Sequence, residues 1–397
     1  MEEAKAGRVP GHILFLIVIA QFCGTSLWFA GNAILPELTA AFDLGPGAVS
    51  NLTSAVQLGF ISGTLIFAFL NIADLFSPSK VFLISACLGA VFNSLIILAP
   101  FGIASLWFYR FLTGFFLAGI YPVGMKIASD WYHGELGKVL GLLVGALVLG
   151  TAFPHLLRSF SSDWHWQSIL WFTSGIAVLG GLFIALFVSD GPRRMKGSKL
   201  KLTAFLEIFR VKSFRSAAMG YFGHMWELYT FWAFVPLLLT SYARHQSLQL
   251  PVSFWSFIII SSGALGCTAG GYIALKRGSA KVAFFQLAIS GSCCAISLVA
   301  FYFSPLLFIL FLVIWGITVV GDSPQFSTLV AHTAPRQYIG TALTITNCIG
   351  FAITIVSLQL GGILLNLFGI NYTMIFLVIG PVLGLLAIKK LIPRKGN

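Results

Sequence analysis

Residues 20–36 read AQFCGTSLWFAGNAILP, and residues 220–236 read GYFGHMWELYTFWAFVP. Phe22 aligns with Phe222, Ala33 with Ala233 and Pro36 with Pro236, an offset of 200 in a chain of 397 residues. His224 and Glu227 stand where the first copy has Gly24 and Leu27. Lys80-Val81 matches Lys281-Val282 at offset 201, and Gly119-Ile120-Tyr121-Pro122 matches Gly321-Asp322-Ser323-Pro324 at offset 202. A slowly drifting offset is what duplication followed by small insertions leaves behind. The chain reads as two related halves.

Composition fixes the solvent of those halves. The sequence is 58% hydrophobic and only 9% charged, with a mean hydropathy of +0.93. A soluble domain averages about 25% charged residues. A helix crossing a bilayer needs about 20 mostly apolar residues. Twelve runs qualify, at 12–35, 50–70, 81–99, 105–128, 138–157, 167–188, 215–239, 252–274, 282–303, 306–330, 340–365 and 371–391. These runs are too long for strands and do not alternate apolar with polar residues. The expected fold is all-α: twelve transmembrane helices in two pseudo-symmetric six-helix halves.

Charge sets the expected orientation. Twenty of the 24 Lys and Arg residues fall at the termini or in alternate loops on one side. Eight of them lie between spans 6 and 7 (Arg193, Arg194, Lys196, Lys199, Lys201, Arg210, Lys212 and Arg215). By the positive-inside rule both termini are cytoplasmic. The pI near 9.6 therefore reflects topology rather than nucleic-acid binding. The first apolar run exceeds a signal core and has no small-residue cleavage site after it, so it reads as a span. With no targeting segment recognised, a bacterial inner membrane is the expected location. Residues 1–188 and 215–397 form the halves, joined by a basic linker at 189–214 in which 200–212 reads as a short amphipathic helix or a solvated tether. All six cysteines fall inside spans without metal-type spacing, so no cofactor or metal is expected.

Two six-span halves joined by a basic loop resemble the major facilitator superfamily over the whole chain. Its signature after span 2, roughly G-x-L-x-D-R-x-G-R-R, corresponds here to Leu70, Ile72, Asp74, Leu75, Ser77, Pro78, Ser79 and Lys80, keeping the Asp and a displaced basic residue. The span-4 signature, an Arg followed four residues later by Gly, matches Arg110 and Gly114. The span-5 antiporter signature ends in Gly-Pro, whereas here Thr151, Ala152 and Phe153 separate Gly150 from Pro154. The chain also resembles the nitrate and cyanate branch and the drug-efflux branch. It lacks the arginines that nitrate carriers place in spans 2 and 8.

The resemblance implies that the first, fourth, seventh and tenth spans line a central cavity. Gln21, Thr25, Trp28 and Asn32 share one face of the first, at about 100° per residue, as cavity lining or as glue between helices. Arg110 and Tyr121 share a face of span 4. Arg110 would attract an anionic solute or snorkel to the outer surface, and Lys126 would snorkel to the inner one. Trp315, Asp322 and Gln325 approximate one face of span 10.

Glu227 lies near mid-membrane, where an ionised carboxylate is costly, and His224 is one turn away. This arrangement suits proton coupling through Glu227, with His224 and Asp322. Direct substrate contact and a static buried network are the alternatives. Aligned onto span 1, Glu227 falls about 120° from the centre of the Gln21–Asn32 stripe, toward a neighbouring helix of its own half. Asp74 reads as an inner gate, and His155 as an outer gate or an ordinary interfacial histidine.

The expected function is secondary active transport of a small organic or anionic solute by alternating access, coupled to protons, by a monomer in the lipid bilayer. Proton-driven efflux of a hydrophobic compound is the alternative. An enzyme is disfavoured because neither HExxH nor GxSxG appears. A receptor or scaffold is disfavoured by the lack of a large soluble domain.

Overall fold

The computed structural model describes residues 10–98, 102–132, 136–160, 164–192, 194 and 202–392, with residues 136 and 137 as backbone only. Among them are twelve spanning segments and no strand. They are α1 Gly11–Thr25, α2 Ala48–Phe69, α3 Pro78–Leu95, α4 Ile103–Trp131, α5 Leu136–Phe160 and α6 Gln167–Phe187. The second six are α7 Lys212–His245, α8 Val252–Arg277, α9 Ser279–Ala300, α10 Pro305–Thr333, α11 Arg336–Phe368 and α12 Ile370–Leu391. Lys5, Arg8, Arg193, Lys196, Lys199 and Lys201 lie outside the described residues.

Breaks in α1, α4 and α10 shape the bundle. Segment α1 stops at Thr25, turns through residues 26–29 and resumes at Ala30–Ala33. Segment α4 is interrupted before Tyr121 and α10 at Asp322. Pro122 and Pro324 lack the N–H that would continue each ladder. These are the two prolines of the offset-202 match, so the repeat carries a matching break in each half.

Close backbone crossings show a second symmetry. A Cβ at Gly59 would overlap the Phe111 carbonyl, and one at Gly114 the Val56 carbonyl, where α2 meets α4. In the other half, Gly266 abuts the Ile317 carbonyl and Gly316 the Ile259 carbonyl, where α8 meets α10. Small residues are what let apolar helices approach this closely when lipid offers no hydrophobic drive.

The halves meet along two seams, α2 with α11 and α5 with α8. We call the face that holds the linker, the α2–α3 loop and Leu391 the terminal face, and the opposite one the far face. Ser77 donates to Asp190 at 2.7 Å, and Arg194 reaches the Asp74 and Phe76 carbonyls at 3.0 and 2.7 Å, which ties that loop to the linker. Toward the far face the Gln359 amide of α11 donates to Asn51 at 3.1 Å and Ser54 at 3.0 Å of α2, and Gly362 packs on Ser50. Toward the terminal face both seams open into crevices, one between Leu65 and Ile345, the other between Lys138 and Tyr272. The far face thus carries hydrogen bonds across the α2–α11 seam, and the terminal face carries an apolar groove along it.

Gln359→Leu removes both far-face bonds. A loss of about 0.5–1 kcal/mol shifts the population toward far-face opening by about two- to fivefold. Spin-label distances between the far ends of α2 and α11 measure this, and an unchanged distribution would deny the amide any part in closure.

Candidate functional site

Rings fill the space where the halves meet. Trp28 lies 4.8 Å from Phe60 of its own half, and 5.7 Å from both Tyr229 and Phe351 of the other. Phe60 and Phe351 close to 4.6 Å, and Tyr229 and Phe351 to 5.2 Å. Phe29 and Tyr229 hold equivalent positions of the two copies, and their rings meet at 6.4 Å across the seam. The Trp28 and Trp232 indole N–H groups are buried and have no partner among the described residues.

The ionisable groups turn away from this seam. Glu227 is fully buried within the second half, where its carboxylate accepts from Trp315 Nε1 at 2.5 Å, Ser290 Oγ at 2.9 Å and Cys294 Sγ at 3.3 Å. Segments α9 and α10 supply those three donors. His224 Nδ1 lies 2.8 Å from Asp322 Oδ1, both side chains wholly buried. The His224 ring packs against Tyr221 at 5.9 Å and Phe326 at 5.8 Å. Tyr221 in turn donates to Asn347 of α11 at 2.9 Å.

Arg110 is fully buried in the first half. Its Nη1 donates to the Leu27 carbonyl at 3.2 Å and to Asn93 Oδ1 at 3.3 Å, and its Nη2 donates to the Trp28 carbonyl at 2.5 Å. The guanidinium thus satisfies carbonyls freed by the break in α1, at the residues that present Trp28 to the seam. Glu37 and Arg158 pair at the far face, tying the end of α1 to α5.

The sequence pattern of the Major Facilitator Superfamily matches residues 17–358. The chain is a member of that superfamily. Its members are transporters rather than enzymes. A search of curated proteins finds no sequence match. Among solved structures, the human organic anion transporter MFSD10 (TETRAN) resembles this superfamily member with a TM-score of 0.73 at 14% identity, covering 96% of this chain and 100% of that one. A bacterial homologue of the human lysosomal transporter Spinster, inward-facing and occupied, gives 0.70 at 14% identity over 96% of both chains. Its inward-facing, unoccupied form gives 0.68 at 14% identity, over 97% of this chain and 98% of that one. At such identity the likeness is one of fold.

Several expected positions of this superfamily member need correction. Gln21 points at Gly124 of α4, inside its own half, and Thr25 bonds the Gln21 carbonyl at 2.8 Å and abuts Gly150 of α5. The break after Thr25 rotates the remainder of the segment, so of the expected stripe Trp28 alone contacts rings of the other half, while Asn32 donates to Thr53 of α2 at 2.8 Å. Arg110 neither lines the seam nor snorkels, because backbone carbonyls hold it. Trp315 bonds Glu227 and stacks on Phe231 at 4.4 Å, so it belongs to the carboxylate's cage. Lys126 reaches the terminal face, where its ammonium bonds Asp74 at 2.9 Å and lies 3.7 Å from Asp130 of its own half. His155 is buried in α5, which removes the interfacial reading, and Gln325 is buried in α10.

Sequence reasoning missed Phe60, Tyr221, Phe351 and Asn347 at the seam, and Ser290 and Cys294 around Glu227. In a chain with 38 Phe residues a seam ring looks like any other. Equivalence of Phe29 and Tyr229 in the two copies was the available signal.

Proposed function

We propose that this transporter moves a small organic solute with an apolar body and hydrogen-bond acceptors, driven by a proton gradient. The observation that carries this reading is the separation of cargo surface from charge. The seam offers rings and unpartnered indole N–H donors. Glu227, and the His224–Asp322 pair, sit within one half beside it. One structural neighbour carries organic anions by its name. In this chain Arg110 is held by α1, which weakens the anionic reading and favours a neutral or amphipathic solute.

The halves are taken as residues 1–188 and 215–397, rocking about the seam with 189–214 as tether. The concentration of basic loops at the terminal face supports a cytoplasmic orientation for that face. The crevices there favour reading this as an inward-parted state. A group that is neutral when protonated and charged when not changes the cost of burying the second half, and so biases which state is preferred. A monomer contains the whole seam. Efflux of a hydrophobic compound in exchange for protons is the second reading, favoured by the rings at the seam.

The test uses proteoliposomes with an internal pH dye and a panel of neutral and amphipathic metabolites. A transported solute should produce a proton flux that a protonophore abolishes, and the sign of that flux separates uptake from efflux. Solute movement insensitive to the pH gradient would sink the proton-coupled reading.

A further inference from the structure

The terminal-face end of the α2–α11 seam carries an open groove of about 510 Å³, lined by Leu65 of α2, by Ile345, Cys348, Ile349 and Ala352 of α11, and by Phe205. That volume falls within the range of ligand pockets, about 300–1,000 Å³. All six lining residues are apolar, and the α11 residues recur at helical spacing, so the groove runs along the membrane normal. Phe205 does not belong to a spanning segment. It begins the linker helix Phe205–Arg210, which buries Ile208 against Phe214, Ala342 and Val330 and leaves Leu206 67% exposed.

Charge lies at the terminal-face end of this groove. Arg210 ends the linker helix five residues beyond Phe205, and Lys212 and Arg215 open α7. Arg336 opens α11, nine residues before Ile345. All four are exposed, and none has a carboxylate partner among the described residues. The one acidic group of the linker helix is Glu207, and it lies near the Tyr338 hydroxyl at the start of α11.

We propose that this groove binds an anionic phospholipid of the surrounding leaflet, with one acyl chain between α2 and α11 and the phosphate on Arg210 and Arg336. An apolar slot at bilayer depth with cations at its water-facing end matches one amphiphile, a hydrocarbon chain under a negative headgroup. The bound chain occupies the gap that closure of the terminal face must eliminate. The lipid therefore favours the terminal-open state over the terminal-closed one.

Cys348 lines the groove and reports on its occupancy. Full-length protein is placed in nanodiscs of phosphatidylcholine, with or without phosphatidylglycerol, and maleimide modification is timed cysteine by cysteine. Phosphatidylglycerol at about ten times its Kd should slow modification of Cys348 about tenfold, leaving half-buried Cys87 of α3 unchanged. Soluble glycerol phosphate should not slow it, which separates a lipid site from a phosphate site. Arg210→Glu with Arg336→Glu should abolish the difference between membranes, whereas Ala352→Trp, which fills the groove, should slow Cys348 equally in both. Equal rates in the two membranes would overturn the proposal. So would protection by glycerol phosphate, protection that survives charge reversal, or a Cys348 that never reacts in phosphatidylcholine.

Discussion

Proteoliposomes carrying Glu227→Gln fail to accumulate solute against its gradient, yet still exchange solute for solute. One coupled proton under a pH difference of one unit is worth about 1.4 kcal/mol, enough for about tenfold accumulation. Without the titrating carboxylate that ratio falls to about one. The substitution is gentle in structure. The Gln carbonyl still accepts from Trp315 Nε1, and the Ser290 hydroxyl can turn to accept from the new amide. Thermal stability should therefore hold while coupling is lost, which separates a functional effect from a folding one. Accumulation and counterflow assays on the same vesicles make the measurement. Undiminished accumulation would remove Glu227 from coupling and make the His224–Asp322 pair the next candidate in that half.

Arg110→Ala is expected to be the most damaging substitution for the fold. Its guanidinium bonds the Leu27 and Trp28 carbonyls and Asn93. A buried polar group left without its partner costs about 1–3 kcal/mol, so two carbonyls put the loss on the order of 2–6 kcal/mol. That is a large part of a typical folding stability of about 5–15 kcal/mol. Arg110→Lys should recover only part of it, since a single ammonium cannot reproduce the planar fork spanning two carbonyls and an amide. Thermal unfolding in detergent ranks the three proteins. An alanine variant as stable as the parent would show that α1 breaks without help from the arginine.

The repeat speaks to the same point. Copy two is helical through the stretch where copy one breaks, although Pro236 matches Pro36. At the drifting offset, Arg110 corresponds to Leu312, so the second half has no guanidinium to receive freed carbonyls. The break in α1 is thus a tertiary product. Residues 26–29, Ser-Leu-Trp-Phe, contain neither Gly nor Pro, and nothing local announces it.

This marks where legibility in the sequence ends. Span positions were readable because a bilayer demands long apolar runs, whereas the breaks in α4 and α10, beside Pro122 and Pro324, were not foreseen. The direction of Glu227 followed from helical phase relative to the first copy, toward a neighbour within its half, and α9 and α10 hold it there. Gln21 and Thr25 were assigned to a stripe by extending one ideal helix through a point where the chain turns. Arg110 was read by its charge alone, without the backbone acceptors that only the assembled bundle brings to it. The α2–α4 and α8–α10 glycine crossings depend on which helices touch, which periodicity within a helix does not encode.

Among the described residues, the seam proposed to meet cargo touches the groups proposed to hold the proton through the ring contact from His224 to Tyr221. Trp28, Phe60 and Phe351 form no hydrogen bond with Glu227, His224 or Asp322 among the described residues. Such a molecule is modular. Exchanging one ring at the seam alters which contours fit without retuning the engine, so new cargo is reachable in single evolutionary steps. Changes at Tyr221 stand apart, since that ring also packs against His224, and a gain in selectivity there bears on the drive itself.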